Sequence, residues 1–167
     1  MKKYYLAYGS NLSVYQMAQR CPDAIYIGTA EIPDYRLLFK GSQTGSYLTI
    51  EKKKGRTVPV LVWEISSLDE KYLDRYEGCP VFYYKKEMRV SVTPFIPKAE
   101  PVELDAIVYI MHEGRPLGCP SEHYYEVCAE GYRRFGFDEG ILKIELADRI
   151  VTLTYDGQSK IVEEQDR

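Results

Sequence analysis

Glu77 is an acid at a position where helices favour bases. The run Leu68-Asp69-Glu70-Lys71-Tyr72-Leu73-Asp74-Arg75-Tyr76-Glu77-Gly78 predicts a helix from Leu68 to Tyr76, opened by a Ser67/Glu70 capping box and closed by Gly78. Leu73 and Glu77 stand four apart and share a face, so a core-facing Leu73 draws Glu77 inward. The last turn is the negative end of the helix dipole, where lysine or arginine is favoured. Desolvation and the dipole would both lift a carboxyl pKa towards the range useful to a general base. An exposed glutamate with a local role fits the same spacing. The second chemical segment is Tyr8-Gly9-Ser10-Asn11-Leu12, a glycine-containing loop between a strand and a helix. Such a loop presents unpaired N–H groups at the positive end of a helix dipole and can hold a carboxylate or an oxyanion. Equally, Asn11 or Ser13 caps the helix.

Other chemistries find little material. The chain has 2 histidines and 4 cysteines, with no CxxC pair and no metal-like spacing, so reduced thiols without a zinc site are expected. Cys79 lies beside Glu77, but a thiol nucleophile needs a positioned base, and the sequence does not place His112 or His123 near it. Neither a Walker loop nor a GxGxxG fingerprint occurs. Tyrosine, by contrast, occurs 16 times. Tyr83 and Tyr84 open the strand after the glutamate, Tyr109 lies in a later strand, and Tyr124 and Tyr125 begin a helix. Most of these are expected to be half-buried packing residues with the hydroxyl at the surface.

These residues must be positioned by one well-formed core. A chain of 167 residues can bury about 70% of its surface as a single unit, and no composition shift divides it. We expect one domain over 1–155 and a polar tail over 156–167. Strands are expected at 3–8, 24–30, 35–40, 46–51, 57–65, 81–93 and 104–111. Helices are expected at 12–21, 68–76 and 121–135, with a short one from Asp138. Pro59 suggests an edge or bulge, and 112–120 is the most turn-rich segment. Many strands with few intervening helices imply an α+β fold with a mixed, strongly curved or barrel-like sheet.

The first 60 residues carry nine basic and four acidic side chains, the remainder thirteen and twenty-one. Lys52-Lys53-Lys54-Gly55-Arg56 supplies most of that asymmetry and is expected to be a solvated hairpin tip. A net charge of −3 argues against attraction to nucleic acid or anionic membrane. No apolar run reaches bilayer length, and the N-terminus lacks the apolar stretch of a secretion signal, so a cytoplasmic location is expected.

At these residues the sequence resembles the γ-glutamylcyclotransferase-like family. The resemblance rests on YGSNL at 8–12, RCP at 20–22, LDxxEG as Leu73 to Gly78, Tyr-Tyr at 83–84, Tyr-Ile-Met at 109–111 and GYRRFG at 131–136. It implies a barrel-like mixed sheet with peripheral helices and a pocket where the 8–12 loop faces the glutamate. By position, Tyr8, Gly9, Ser10, Asn11 and Leu12 form the binding loop, Glu77 is the acid/base residue, and Tyr84, Tyr109 and Tyr124 stand at the pocket wall. The implied reaction folds the α-amine of a γ-glutamyl amide onto its own γ-carbonyl, closing 5-oxoproline and releasing an amine. It needs neither metal nor organic cofactor. A cyclising enzyme for glutamylamines or a biosynthetic intermediate, or a non-catalytic member binding an acidic metabolite or a protein in the same cavity, would carry the same motifs. The leaving-amine pocket is expected near 41–46 and 112–120.

Overall fold

The computed structural model describes residues 2–42 and 45–146. Five strands close a barrel in the order β1-β3-β2-β4-β5. They are β1 (Lys3–Ala7), β2 (Ile25–Ser42), β3 (Gly45–Ile65), β4 (Tyr83–Pro94) and β5 (Val102–Met111). The β1/β5 seam is parallel and the other pairings are antiparallel, so the sheet is mixed and the α+β barrel expected from the sequence is present. Helices α1 (Val14–Arg20), α2 (Ser67–Tyr76) and α3 (Glu122–Arg134) surround it, with a single 3-10 turn at Ser10–Leu12. A further helical stretch covers 140–146, and Gly136, at φ +72°, makes the break before it. The expected domain limit at 155 and the polar tail lie outside the described residues. Among the described residues, no helix is long and apolar enough to cross a membrane.

Four of the expected strands merge into two. The segments 24–30 and 35–40 are one strand, as are 46–51 and 57–65, because β2 and β3 pair from Ile25↔Glu64 to Ser42↔Gly45. Around Pro33, the single residue Asp34 stands opposite the four residues 53–56. The basic run is therefore a bulge inside β3 and not a hairpin tip. Its polar turn chemistry is absorbed locally: Gly55 sits at φ +85°, Asp34 at φ +58°, and the Gly55 N–H donates to Asp34 Oδ1 at 2.9 Å. Lys52 to Gly55 are exposed, as a solvated segment should be, whereas Arg56 is half-buried and pairs with Glu145 at 2.8 Å. Pro59 lies where β3 pairs with β2 alone, since β1 reaches only 61–65. A proline there removes no bond to β1.

At the β2/β4 seam the backbones approach closely enough to require glycine. A Cβ on Gly28 would stand 2.3 Å from the Thr93 carbonyl oxygen. Inside, Leu6, Leu37, Ile50, Val62, Val108 and Ile110 fill the core and are 1% exposed or less. Leu12, Met17, Leu73 and Tyr132 pack from the helices.

Helix α2 starts one residue earlier than expected, because the capping box uses Ser66 and Asp69 in place of Ser67 and Glu70. Ser66 Oγ accepts from the Asp69 N–H at 3.0 Å, and Asp69 Oδ2 accepts from the Ser66 N–H at 3.2 Å. Asp69 is fully buried and so supplies the reciprocal bond in a dry setting. Glu70 instead turns to Lys3 and Lys85. At the far end Gly78 adopts φ +61°, its N–H reaches the Arg75 carbonyl at 3.2 Å, and the Cys79 N–H reaches that of Asp74 at 2.9 Å. These two bonds close α2 as a Schellman motif and fix Glu77 as its C-cap.

Candidate active site

A cavity of about 370 Å³ opens between α2, the 8–12 loop and the strand surface. Its floor is buried and made by Tyr5, Tyr8, Asn11, Leu48, Tyr83 and Tyr109. Its mouth is more exposed and made by Tyr47, Arg75, Tyr76, Gly78 and Phe82. Glu77 lies between the two. Leu73, one turn earlier, is fully buried and anchors α2, so the shared face does draw Glu77 inward.

Burial pushes the Glu77 carboxyl up to about 7, opposed by the charge of Arg20. Burial, with the same carboxylate adding to it, holds the Tyr5 and Tyr8 hydroxyls far above their ordinary value. Tyr83 is likewise raised by burial, with Tyr8 and Glu77 adding to it. These phenols stay neutral at any physiological pH and serve as donors or acceptors. Glu77 is thus the group poised to exchange protons near neutrality.

The 8–12 loop is locked from behind. Asn11 Nδ2 donates to Tyr5 Oη at 3.0 Å, Arg20 Nη1 donates to Asn11 Oδ1, and Trp63 Nε1 donates to the Asn11 carbonyl at 3.0 Å. The helix cap is Ser13, whose Oγ accepts from the Gln16 N–H at 3.2 Å, so the Asn11 side chain does not cap. Leu12 and Ser13 N–H groups return to the Gly9 and Ser10 carbonyls at 3.1 and 3.0 Å. Among the described residues, the Gly9, Ser10 and Asn11 amides have no backbone acceptor, which leaves them available to an anion.

Two tyrosines grip the Leu48 peptide. Tyr124 Oη accepts from its N–H and Tyr83 Oη donates to its carbonyl, both at 2.9 Å. Gly9 packs closely beside them: a Cβ there would stand 3.3 Å from Tyr124 Oη. Tyr109 reaches α2 through a 2.7 Å bond to Asp74 Oδ1, and its carbonyl accepts from Tyr8 Oη at 2.6 Å.

The structure thus brings Tyr8, Gly9, Ser10, Asn11, Tyr109 and Tyr124 together with Glu77 around one cavity. It does not bring Leu12 or Tyr84. Leu12 points into the core, where a Cβ on Gly131 would stand 2.5 Å from its own. Tyr84 is on the opposite face of β4 from Tyr83 and bonds Glu113 Oε1 at 2.5 Å. Sequence reasoning missed Tyr5, Tyr47, Phe82 and Tyr83. Strand alternation places Tyr83 only once the register is known: Lys85 pairs with Tyr109 and bonds Glu70 and Asp74 on α2, so Tyr83, two residues earlier, shares the cavity face.

Cys79 is not part of this cavity, and burial together with Asp74 pushes its thiol pKa up, against any nucleophilic role. His112 comes near that segment, but its Nε2 meets the Pro80 carbonyl at 2.7 Å. Among the described residues, no three His, Cys, Asp or Glu side chains converge as a metal site requires.

The chain matches known proteins in sequence and in fold. Residues 5–134 match the family described as gamma-glutamyl cyclotransferase, AIG2-like. The gamma-glutamylcyclotransferases of Bos taurus and Homo sapiens are each 30% identical over 141 residues, covering 79% of this chain and 71% of theirs. A solved gamma-glutamyl cyclotransferase superposes with a TM-score of 0.75 at 27% identity, covering 86% of this chain and 87% of that one. The chain belongs to the gamma-glutamyl cyclotransferase, AIG2-like family. It is an enzyme of the cyclotransferase type.

Proposed function

We propose that this chain cyclises a γ-glutamyl amide to 5-oxoproline with release of an amine, and that Glu77 is both general base and general acid. The observation that carries the reading is a carboxyl with its pKa near 7, half-buried between a loop of free amides and a wall of neutral tyrosines. The substrate supplies its own nucleophile, so one proton carrier suffices. Ionised Glu77 takes a proton from the α-ammonium group. The freed amine adds to the γ-carbonyl carbon, and the new C–N bond closes the five-membered ring as an oxyanion forms. Glu77 passes its proton to the original amide nitrogen and, ionised again, takes the second proton from the ring nitrogen. The oxyanion then collapses, the original amide C–N bond breaks, and the second proton leaves with the departing amine as its ammonium ion.

Each part of the cavity has a task in this scheme. The amides of Gly9, Ser10 and Asn11 suit the substrate carboxylate or the developing oxyanion. The locked loop and the tyrosine floor favour a folded substrate, in which amine and carbonyl already meet. Proton transfer by a positioned side chain contributes about 10²–10⁴-fold. No step calls on a metal or an organic cofactor, and the expected setting is the cytoplasm.

The test is 5-oxoproline release from a panel of γ-glutamyl amino acids and γ-glutamylamines. The wild type should turn over at least one of them, and Glu77→Gln should lose about 10²–10⁴ in kcat. Full activity in Glu77→Gln, or binding of every donor without turnover, overturns the mechanism.

A further inference from the structure

Stacked on Phe82, a residue of the cavity mouth, is a cation that none of the chemistry above uses. The guanidinium carbon of Arg115 stands 3.9 Å from the centre of the Phe82 ring. Phe82 lines the cavity, where it meets Tyr47 with ring centres 6.5 Å apart. Arg115 Nε is buried without a hydrogen-bond partner. Among the described residues, no carboxylate forms an ion pair with Arg115 or with Arg75, which lines the mouth. A half-buried guanidinium without a counter-ion is costly, and an anionic ligand would offset that cost.

The loop bearing Arg115 is held firmly in place. Lys40 Nζ donates to the Glu113 carbonyl at 2.8 Å, and Tyr84 Oη holds the Glu113 carboxylate. The Gly41 N–H donates to the Pro116 carbonyl at 3.1 Å, and the Gly118 N–H to that of Phe39 at 3.0 Å. Tyr84, which lies outside the cavity, thus helps fix the loop that bears Arg115. An arginine stacked on a ring keeps its in-plane donors free and loses little side-chain freedom on binding a carboxylate.

We propose that Arg115 is a specificity-determining residue that reads a carboxylate on the leaving amine at the mouth of the cavity. The inference rests on the cyclisation proposed above: with the reacting γ-glutamyl unit between Glu77 and the 9–11 amides, the leaving group extends past Phe82 towards Arg115. An amine without an anionic group leaves the guanidinium unpaired.

A matched pair of substrates tests this. γ-Glutamyl-alanine and γ-glutamyl-ethylamine differ only in the carboxylate of the leaving group. The wild type should favour the alanine compound by about ten- to a hundredfold in kcat/KM, the range of a charge-assisted hydrogen bond. Arg115→Gln should lose that preference through KM for the alanine compound alone, leaving the ethylamine compound unchanged, and Arg115→Lys should recover part of it. Equal wild-type efficiency on the two compounds overturns the inference while leaving the cyclisation intact, and needs no variant. An equal loss on both in Arg115→Gln overturns it by showing a structural role. No 5-oxoproline from these or any other γ-glutamyl donor overturns the cyclisation itself, and this inference with it.

Discussion

The guanidinium of Arg20 lies 3.6 Å from the centre of the Tyr76 ring, beside the residue that precedes Glu77. From there it donates to Asn11 and lowers the pKa that burial raises on Glu77. One side chain therefore joins the 8–12 loop to the proposed base. Arg20 is a positioning residue in this arrangement.

Removing that charge should move the acid limb of the pH–rate profile. Glu77 must be ionised to act as a base, and its pKa is held to about 7 with Arg20 present. In Arg20→Gln burial acts unopposed, so the limb in kcat/KM should shift to higher pH, while Arg20→Lys should hold it. The limb position is the diagnostic, since the plateau also reports the loss of the Asn11 bond. An unshifted limb in Arg20→Gln would rule out this coupling.

Glu77 should also make stability fall as pH rises. Its pKa is raised from 4.5 to about 7 in the folded chain, so the folded state binds the proton more tightly. The resulting stabilisation is complete below about 4.5 and gone above about 7. Relative to Glu77→Gln, the wild type should lose up to about 3 kcal/mol across that window, less whatever solvent screens. Urea melts of both proteins at pH 5 and pH 8 measure the difference; parallel curves at the two pH values would contradict it.

Gly9→Ala should impair turnover more than stability. The added methyl would lie 3.3 Å from Tyr124 Oη and 3.6 Å from Leu48 Cβ, so the loop or the tyrosine must shift by a few tenths of an ångström. A misplacement near 1 Å can cost about a hundredfold in rate. Steady-state kinetics alongside a thermal melt separate the two effects, and an unchanged kcat refutes the close-packing argument.

Adjacent tyrosines should behave differently. Tyr83→Phe leaves the buried Leu48 carbonyl without its donor and should cost about 1–3 kcal/mol. Tyr84→Phe removes a bond at the surface and should change stability by less than about 1 kcal/mol. Denaturant unfolding of the two variants decides between this assignment and its reverse.

The sequence made α2 legible because its signals are local: a cap, a four-residue spacing and a terminating glycine. Glu77 and the 8–12 loop sit at its boundary and at that of α1, so both could be placed. The capping box slipped by one residue because both Ser66 and Ser67 are followed three residues later by an acid, and only burial chose Asp69. The merging of strands across Pro33 and residues 53–56 was not legible, because pairing on both sides of a bulge is a long-range property. Tyr83 and Tyr84 could not be told apart for a similar reason. Which face of β4 meets α2 depends on its register with β5, and no local pattern carries that register. Arg115 had no motif at all: its place comes from backbone bonds between the 112–118 loop and the end of β2.

The tyrosine grip on Leu48 also bears on solubility. Phe39 pairs with Leu48 on one side of β3, and on the other side the Leu48 N–H and C=O meet hydroxyls where another strand would otherwise lie. A sheet that opens to form a cleft exposes backbone that can template strand addition from a second chain. Here Tyr83 and Tyr124 blunt that template with side chains already committed to the cavity wall, so the cleft persists while its floor offers an incoming strand no pairing at Leu48.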